Sequence, residues 1–126
     1  MRIVPWMLAA AFAAPPAVDG LLAQYRAAGA TAPDAGRGQT LWTTSFPAPD
    51  GGAARACTTC HGPTLGSPGR HATTGEPITP MASADRFTDA AKIEKWFGRN
   101  CRWTVGRDCT PAEKADLLTW LTGGAK

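Results

Sequence analysis

Apolar positions recur at helical spacing in four stretches of the chain, and nowhere do they alternate over a useful length as in a strand. In VDGLLAQYRAAGA, Leu21, Leu22 and Tyr25 share one side and Gly29 closes the run, which predicts a short helix. In TAPDAGRGQTLWTT, Asp34 is a ready N-cap and Leu41 and Trp42 turn inward, predicting a second helix. RFTDAAKIEKWFGRN opens on Thr88 as a cap, with Asp89 well placed near a helix N-terminus, and carries Ile93, Trp96 and Phe97 as an apolar stripe. TPAEKADLLTWLTGG has the clearest signals. Thr110 is the N-cap, Pro111 takes the first helical position, Glu113 completes a capping box, and Gly123 ends the run. Its buried face is Leu117, Leu118 and Leu121, with Trp120 beside them. FPAPDGGAARA is loop by composition, and from Gly62 to Ala84 proline and glycine recur without periodicity. A stretch that long without its own structure is usually functional or wrapped around something. The expected class is all-α, without internal repeats.

A length of 126 residues implies one domain. One arginine precedes an apolar run from Ile3 to Ala14 that holds the small-residue pattern Ala11-Phe12-Ala13, the form of a secretory signal peptide. Residues 1–13 are expected to be that signal, with cleavage falling between 13 and 19, and residues 14–126 the mature domain in an oxidising compartment. The run falls short of the roughly 18–20 apolar residues that cross a bilayer. The net charge of +3 is modest, and the arginines are scattered among acids, so nucleic-acid binding is not expected. A core built from so short a chain is small, and a bulky covalent cofactor would enlarge it.

That cofactor has a signature. Cys57-Thr58-Thr59-Cys60-His61 is a C-x-x-C-H, the attachment motif of c-type haem. The two thiols add across the porphyrin vinyl groups, and the adjacent imidazole becomes the proximal iron ligand. A bare C-x-x-C could serve a thioredoxin-like redox pair or half a zinc site. The first wants a βαβ pattern, and the second would have to borrow Cys101 and Cys109. Trp42, Trp96 and Trp120 suit either a plain core or packing against a macrocycle.

The ligand opposite His61 decides between an electron carrier and a gas-binding site. Met81 is the conventional thioether, although it lies only twenty residues past His61, in a stretch that ordinarily passes the proximal side. There Pro77 and Pro80 suit a backbone acceptor for the second imidazole nitrogen. Met81 could equally be a gap-filling core residue. His71 would give a bis-histidine haem across a short, polar loop. Asn100 shares the apolar face of Ile93 and Trp96, where an amide needs a partner, or else it is a helix C-cap. Once Cys57 and Cys60 are committed, Cys101 and Cys109 remain as an even pair, and a bridge between them would hold the residue next to Cys101 in place.

CTTCHG, TGEPITPMA, RFTDAAKIEKWFGRNC and VGRDCTPAEKADLLTWL together resemble the sphaeroides haem protein (SHP) group of small periplasmic monohaem cytochromes c. The similarity spans nearly everything after the signal, including the Asn-Cys pair and the second cysteine. It implies a class I cytochrome c-like fold, haem attached at Cys57 and Cys60, and His61 and Asn100 as axial ligands. It also implies a cysteine pair at Cys101 and Cys109. Met81 stands where leucine is found in family members, which keeps a low-spin His61/Met81 electron carrier open as the alternative. A hard amide oxygen suits ferric iron and not ferrous, so the resemblance implies that Asn100 leaves on reduction and O2 or NO can bind. A dihaem cytochrome c and a membrane cytochrome b are the implied electron donors, and a monomer is expected. Terminal reduction of O2, NO or peroxide is a further alternative, but only His71 could supply distal acid–base chemistry.

Overall fold

The computed structural model describes residues 15–83 and 86–124, so the expected signal at 1–13 lies outside the described residues. The elements run α1 (Pro16–Ala27), α2 (Ala35–Thr43), α3 (Cys57–His61), β1 (Gly69–Arg70), β2 (Pro77–Ile78), α4 (Ala90–Thr104) and α5 (Pro111–Thr119), after which the chain turns on from Trp120 and leaves helical geometry at Gly123. The cap residues explain several of the starts. Asp34 accepts the Arg37 N–H at 2.8 Å, and Thr110 and Glu113 form the reciprocal capping box. At α4 the cap is Asp89, which accepts the Lys92 N–H at 3.1 Å, one residue beyond the expected Thr88. That helix also runs on past Asn100 to Thr104, because Arg102, Trp103 and Thr104 contain nothing that stops it. The long Pro/Gly stretch does contain β-structure: β1 and β2 pair antiparallel with Gly69 opposite Ile78. Two residues per strand are too few for a period to register.

Helix α5 lies at the centre. Leu118 faces Val18, Leu21, Tyr25 and Ile93 in a cluster joining α1, α4 and α5. Leu117 and Leu121 face Trp42 and Met81 in a second cluster on the other side. Each fully buried leucine contributes about 1.5–3 kcal/mol by leaving water. Phe87 packs against both clusters and adopts φ 66°, a left-handed conformation costing an aromatic residue about 1–2 kcal/mol.

Polar clamps fix how the helices cross. Asp116, buried on α5, accepts the Asp34 N–H at 2.8 Å and the Arg37 Nε and Nη2 at 3.0 and 3.2 Å. A Cβ on Gly38 would lie 2.1 Å from the Asp116 carbonyl oxygen, so α2 can approach α5 this closely only with glycine there. The Tyr25 hydroxyl donates to Glu94, and Lys114 Nζ reaches the same carboxylate at 3.0 Å. This ties α1, α4 and α5 together. Burial, then Glu94, pushes the Tyr25 phenol far above its ordinary range.

Candidate functional site

Helix α3 is a little over one turn and consists of the C-x-x-C-H motif itself. The Thr59 hydroxyl accepts the Ala56 N–H at 2.9 Å and starts the turn, and the Gly62 N–H returns to the Thr58 carbonyl and ends it. The hairpin then presses against the motif's back. A Cβ on Gly69 would stand 2.2 Å from the Cys60 oxygen and 2.8 Å from the His61 Cα. Nothing in the sequence marked Gly69 as a support for the motif, because the contact exists only once β1 folds back.

Cys57 and Cys60 are free thiols, each half-buried. Burial pushes the Cys57 thiol up to about 11, so it is protonated and not a ready metal thiolate. Among the described residues no group of three or more His, Cys, Asp or Glu side chains could hold a metal ion, which leaves the zinc reading without a site. The His61 ring stacks against Trp42 with centroids 5.2 Å apart. Burial first, and the Arg86 charge second, lowers His61 to about 4, which keeps the imidazole neutral and able to ligate. Its ring nitrogens have no hydrogen-bond partner among the described residues. The Pro80 carbonyl expected to receive one of them instead accepts Arg86 Nε at 3.1 Å. Arg86 also donates to the Thr79 carbonyl, stapling the loop around Met81.

The other candidates separate. Met81 is buried in the cluster of Trp42, Leu117 and Leu121. His71 is exposed in the hairpin turn, where its Nδ1 meets the Thr73 hydroxyl at 2.8 Å and accepts the Thr73 and Thr74 N–H groups at 3.3 Å. Its side chain is occupied in shaping that turn. Asn100 lies inside α4, four residues before its end, so it is not a C-cap; Val105 is. Nor does it share the buried face, as the sequence led us to expect. That face is Ile93, Cys101 and Thr104 with Phe97, whereas Asn100 and Trp96 are exposed on the flank beside it. On a helix, positions 100 and 96 lie about 55° and about 95° round from the centre of the 93/97/101/104 stripe. The Asn100 amide makes no hydrogen bond among the described residues. The next residue, Cys101, is joined by a disulfide to Cys109, with Cα atoms 5.7 Å apart.

Residues 28–121 match the family described as a domain of unknown function, DUF1924. The chain is 45% identical to the cytochrome c-type protein SHP of Cereibacter sphaeroides over 126 residues, covering 92% of this chain and 95% of that protein. The structure of oxidized SHP, described as an oxygen-binding cytochrome c, is similar with a TM-score of 0.74 at 46% identity over 83% of this chain and 95% of the other. The chain belongs to the SHP family of c-type cytochromes. Cytochrome c'' of Methylophilus methylotrophus is also similar, its solution structure matching with a TM-score of 0.73 at 30% identity over 86% of this chain and 94% of the other. That structure is described as giving insights into the structural basis of haem-ligand detachment.

As in its SHP relatives, the fold is the all-α cytochrome fold and the cofactor is covalent haem c. The side chains fit that group. Two free thiols and a neutral imidazole stand on one helical turn, in the order the attachment chemistry requires. Trp42 and Trp120 each bury an indole N–H that has no acceptor. Both rings line a cavity of about 680 Å³ with Leu65, Met81, Arg86 and Phe87. This cavity borders Trp42, which stacks on His61, and not the three motif residues themselves. Two unanswered buried donors lining one cavity call for acceptors, and the carboxylates that haem carries would supply them. Trp96, half exposed next to Asn100, offers a large apolar face of the kind another body covers.

Proposed function

We propose that this chain is an exported, periplasmic monohaem cytochrome that binds a small diatomic ligand, O2 or NO, in a redox-gated way. Cys57 and Cys60 anchor the haem, His61 is the proximal ligand, and Asn100 is the distal ligand. Haem would supply a redox-active iron, and the side chains of His61 and Asn100 would be the ones that hold it. His61 is held neutral by burial and oriented by Trp42. Asn100 would hold the iron weakly, through a neutral amide oxygen, and its exposed side chain would be free to swing aside when the iron is reduced.

The observation that carries this reading is the placing of Asn100. It is an exposed amide inside α4, beside an exposed tryptophan, that has no hydrogen-bond partner among the described residues and no capping role. Met81 is buried in a cluster with Trp42, the ring in contact with His61, and this packing supports a core role for it over a ligand role. The oxygen-binding description of SHP and the ligand detachment described for cytochrome c'' agree in kind with a labile sixth ligand. A dihaem cytochrome c and a membrane cytochrome b remain the electron donors expected from the family. The test is Asn100→Ala, read by optical spectra of the ferric holoprotein. Haem attachment should persist while the ferric spectrum changes, and an unchanged ferric spectrum refutes the ligand assignment.

A further inference from the structure

Cations that look scattered in the sequence come together on α4. Lys92, Lys95, Arg99 and Arg102 are spaced by three, four and three residues, and all four are exposed. On a helix that spacing makes a single line down one side, about 15 Å long at 1.5 Å per residue. The line runs directly beside the Trp96–Asn100 flank: the Arg99 guanidinium lies 5.6 Å from the Trp96 ring centroid. No acid of the helix offsets it. Glu94 turns to the opposite side to meet Tyr25 and Lys114, and Asp89 is spent as the N-cap. Arg102 is paired with Asp108 at 2.7 Å, but Lys92, Lys95 and Arg99 have no ion pair among the described residues.

We infer that this stripe is the docking surface for an acidic electron-transfer protein, which delivers its electron beside the Asn100 flank. The inference presupposes the haem reading above but not Asn100 as ligand. The step is a one-electron transfer: the partner is oxidised by one electron, the cytochrome's ferric iron is reduced by one, and no atom moves between them. Three unpaired cations on a chain of net charge +3 suit a brief, steered encounter of the small-interface kind typical of redox partners. A nucleic-acid site would call for more phosphate contacts than the stripe can make.

The test uses the ferric holoprotein, with reduced flavodoxin as an acidic one-electron donor and the methyl viologen radical cation as a positively charged reference. Lys95→Glu is compared with Arg26→Glu, an equal charge reversal on the far end of α1 beside Pro33 and Ala115. Two charge units at about 10 Å in water amount to about a threefold slowing at low ionic strength, fading towards 0.15 M salt, where screening acts over about 8 Å. Lys95→Glu should slow flavodoxin about threefold and not slow methyl viologen, with Arg26→Glu close to wild type. Equal slowing by both variants, or a wild-type flavodoxin rate indifferent to salt, overturns the inference. So does loss of binding to phosphatidylglycerol vesicles in Lys95→Glu with an unchanged flavodoxin rate, which would assign the stripe to a membrane surface. Failure of methyl viologen to reduce the wild type would instead defeat the haem reading and this inference with it.

Discussion

The disulfide offers the prediction whose size follows most directly from the structure. Cys101 and Cys109 are eight residues apart and both buried, at 5% and 6% exposure, so either alanine substitution removes a packed sulfur as well as the cross-link. The entropy of closing a loop this short in the unfolded chain corresponds to about 2.5 kcal/mol at 25 °C. For a domain of roughly a hundred residues that is about 10 °C in Tm. Packing and cross-link can be separated by a double-mutant cycle. Each single variant, Cys101→Ala or Cys109→Ala, already loses the whole cross-link and one sulfur. The double variant loses the same cross-link once and both sulfurs. The two single effects should therefore exceed the double effect by about 2.5 kcal/mol, the cross-link alone. Urea unfolding of the holoprotein, followed by far-ultraviolet circular dichroism, measures all three. Additive singles, with a coupling below about 1 kcal/mol, would refute the stabilising role of the loop closure, leaving the pair as ordinary core residues.

Gly69→Ala forces a Cβ to within 2.2 Å of the Cys60 oxygen, where neither neighbour is a yielding side-chain tip, so β1 must retreat from α3. Intact mass should show a smaller fraction with haem attached and a melt should show a Tm several degrees lower, on the scale of about 1–3 kcal/mol for overpacking; wild-type values for both would refute the close approach. The Glu113 carboxylate is held below its usual range chiefly by its hydrogen bonds with Arg107, at 2.7 and 3.0 Å. A folded-state value below the unfolded one means the group stabilises above about pH 4.5 and loses that contribution as pH falls through its folded value. The Tm difference between wild type and Glu113→Gln should accordingly shrink between pH 6 and pH 3, and a constant difference would exclude the linkage.

Much of this architecture is legible in the residues, and what is hidden is hidden for identifiable reasons. Asp34, Thr110, Pro111 and Glu113 announce two helix starts because capping is local chemistry, complete within four residues. The C-x-x-C-H turn is legible for the same reason. Asn100 is harder. Asparagine before cysteine reads as a helix end, yet α4 continues, and only the extra turn shows that its flank is not the buried one. Trp96 misleads because an apolar residue at helical spacing implies burial, although here it lies just outside the stripe that the core takes. Contacts such as Gly38 on Asp116 and Gly69 on Cys60 leave no local trace, since each joins residues that the chain alone does not bring together. The basic stripe on α4 is visible in the sequence only if its cations are placed on a wheel, where the core positions between them drop away.

The same helix thus carries three separate duties on three sides. Ile93, Phe97, Cys101 and Thr104 face the core, Trp96 and Asn100 take the flank, and Lys92, Lys95 and Arg99 take the outside. The core side and the Cys101–Cys109 bond fix the backbone on either side of Asn100. On the proposed function this division matters mechanically. A ligand that leaves on reduction needs a side chain free to rotate and a main chain that does not follow it, because a packed helix shifts only at the expense of its core contacts. A single amide moving about its own torsions meets both conditions. Its return on oxidation then depends on a fixed starting point, which the disulfide one residue away supplies. On that reading, loosening that bond should affect recovery of the ferric spectrum after reoxidation more than it affects haem attachment, which would rest on Cys57 and Cys60 in α3, backed by Gly69.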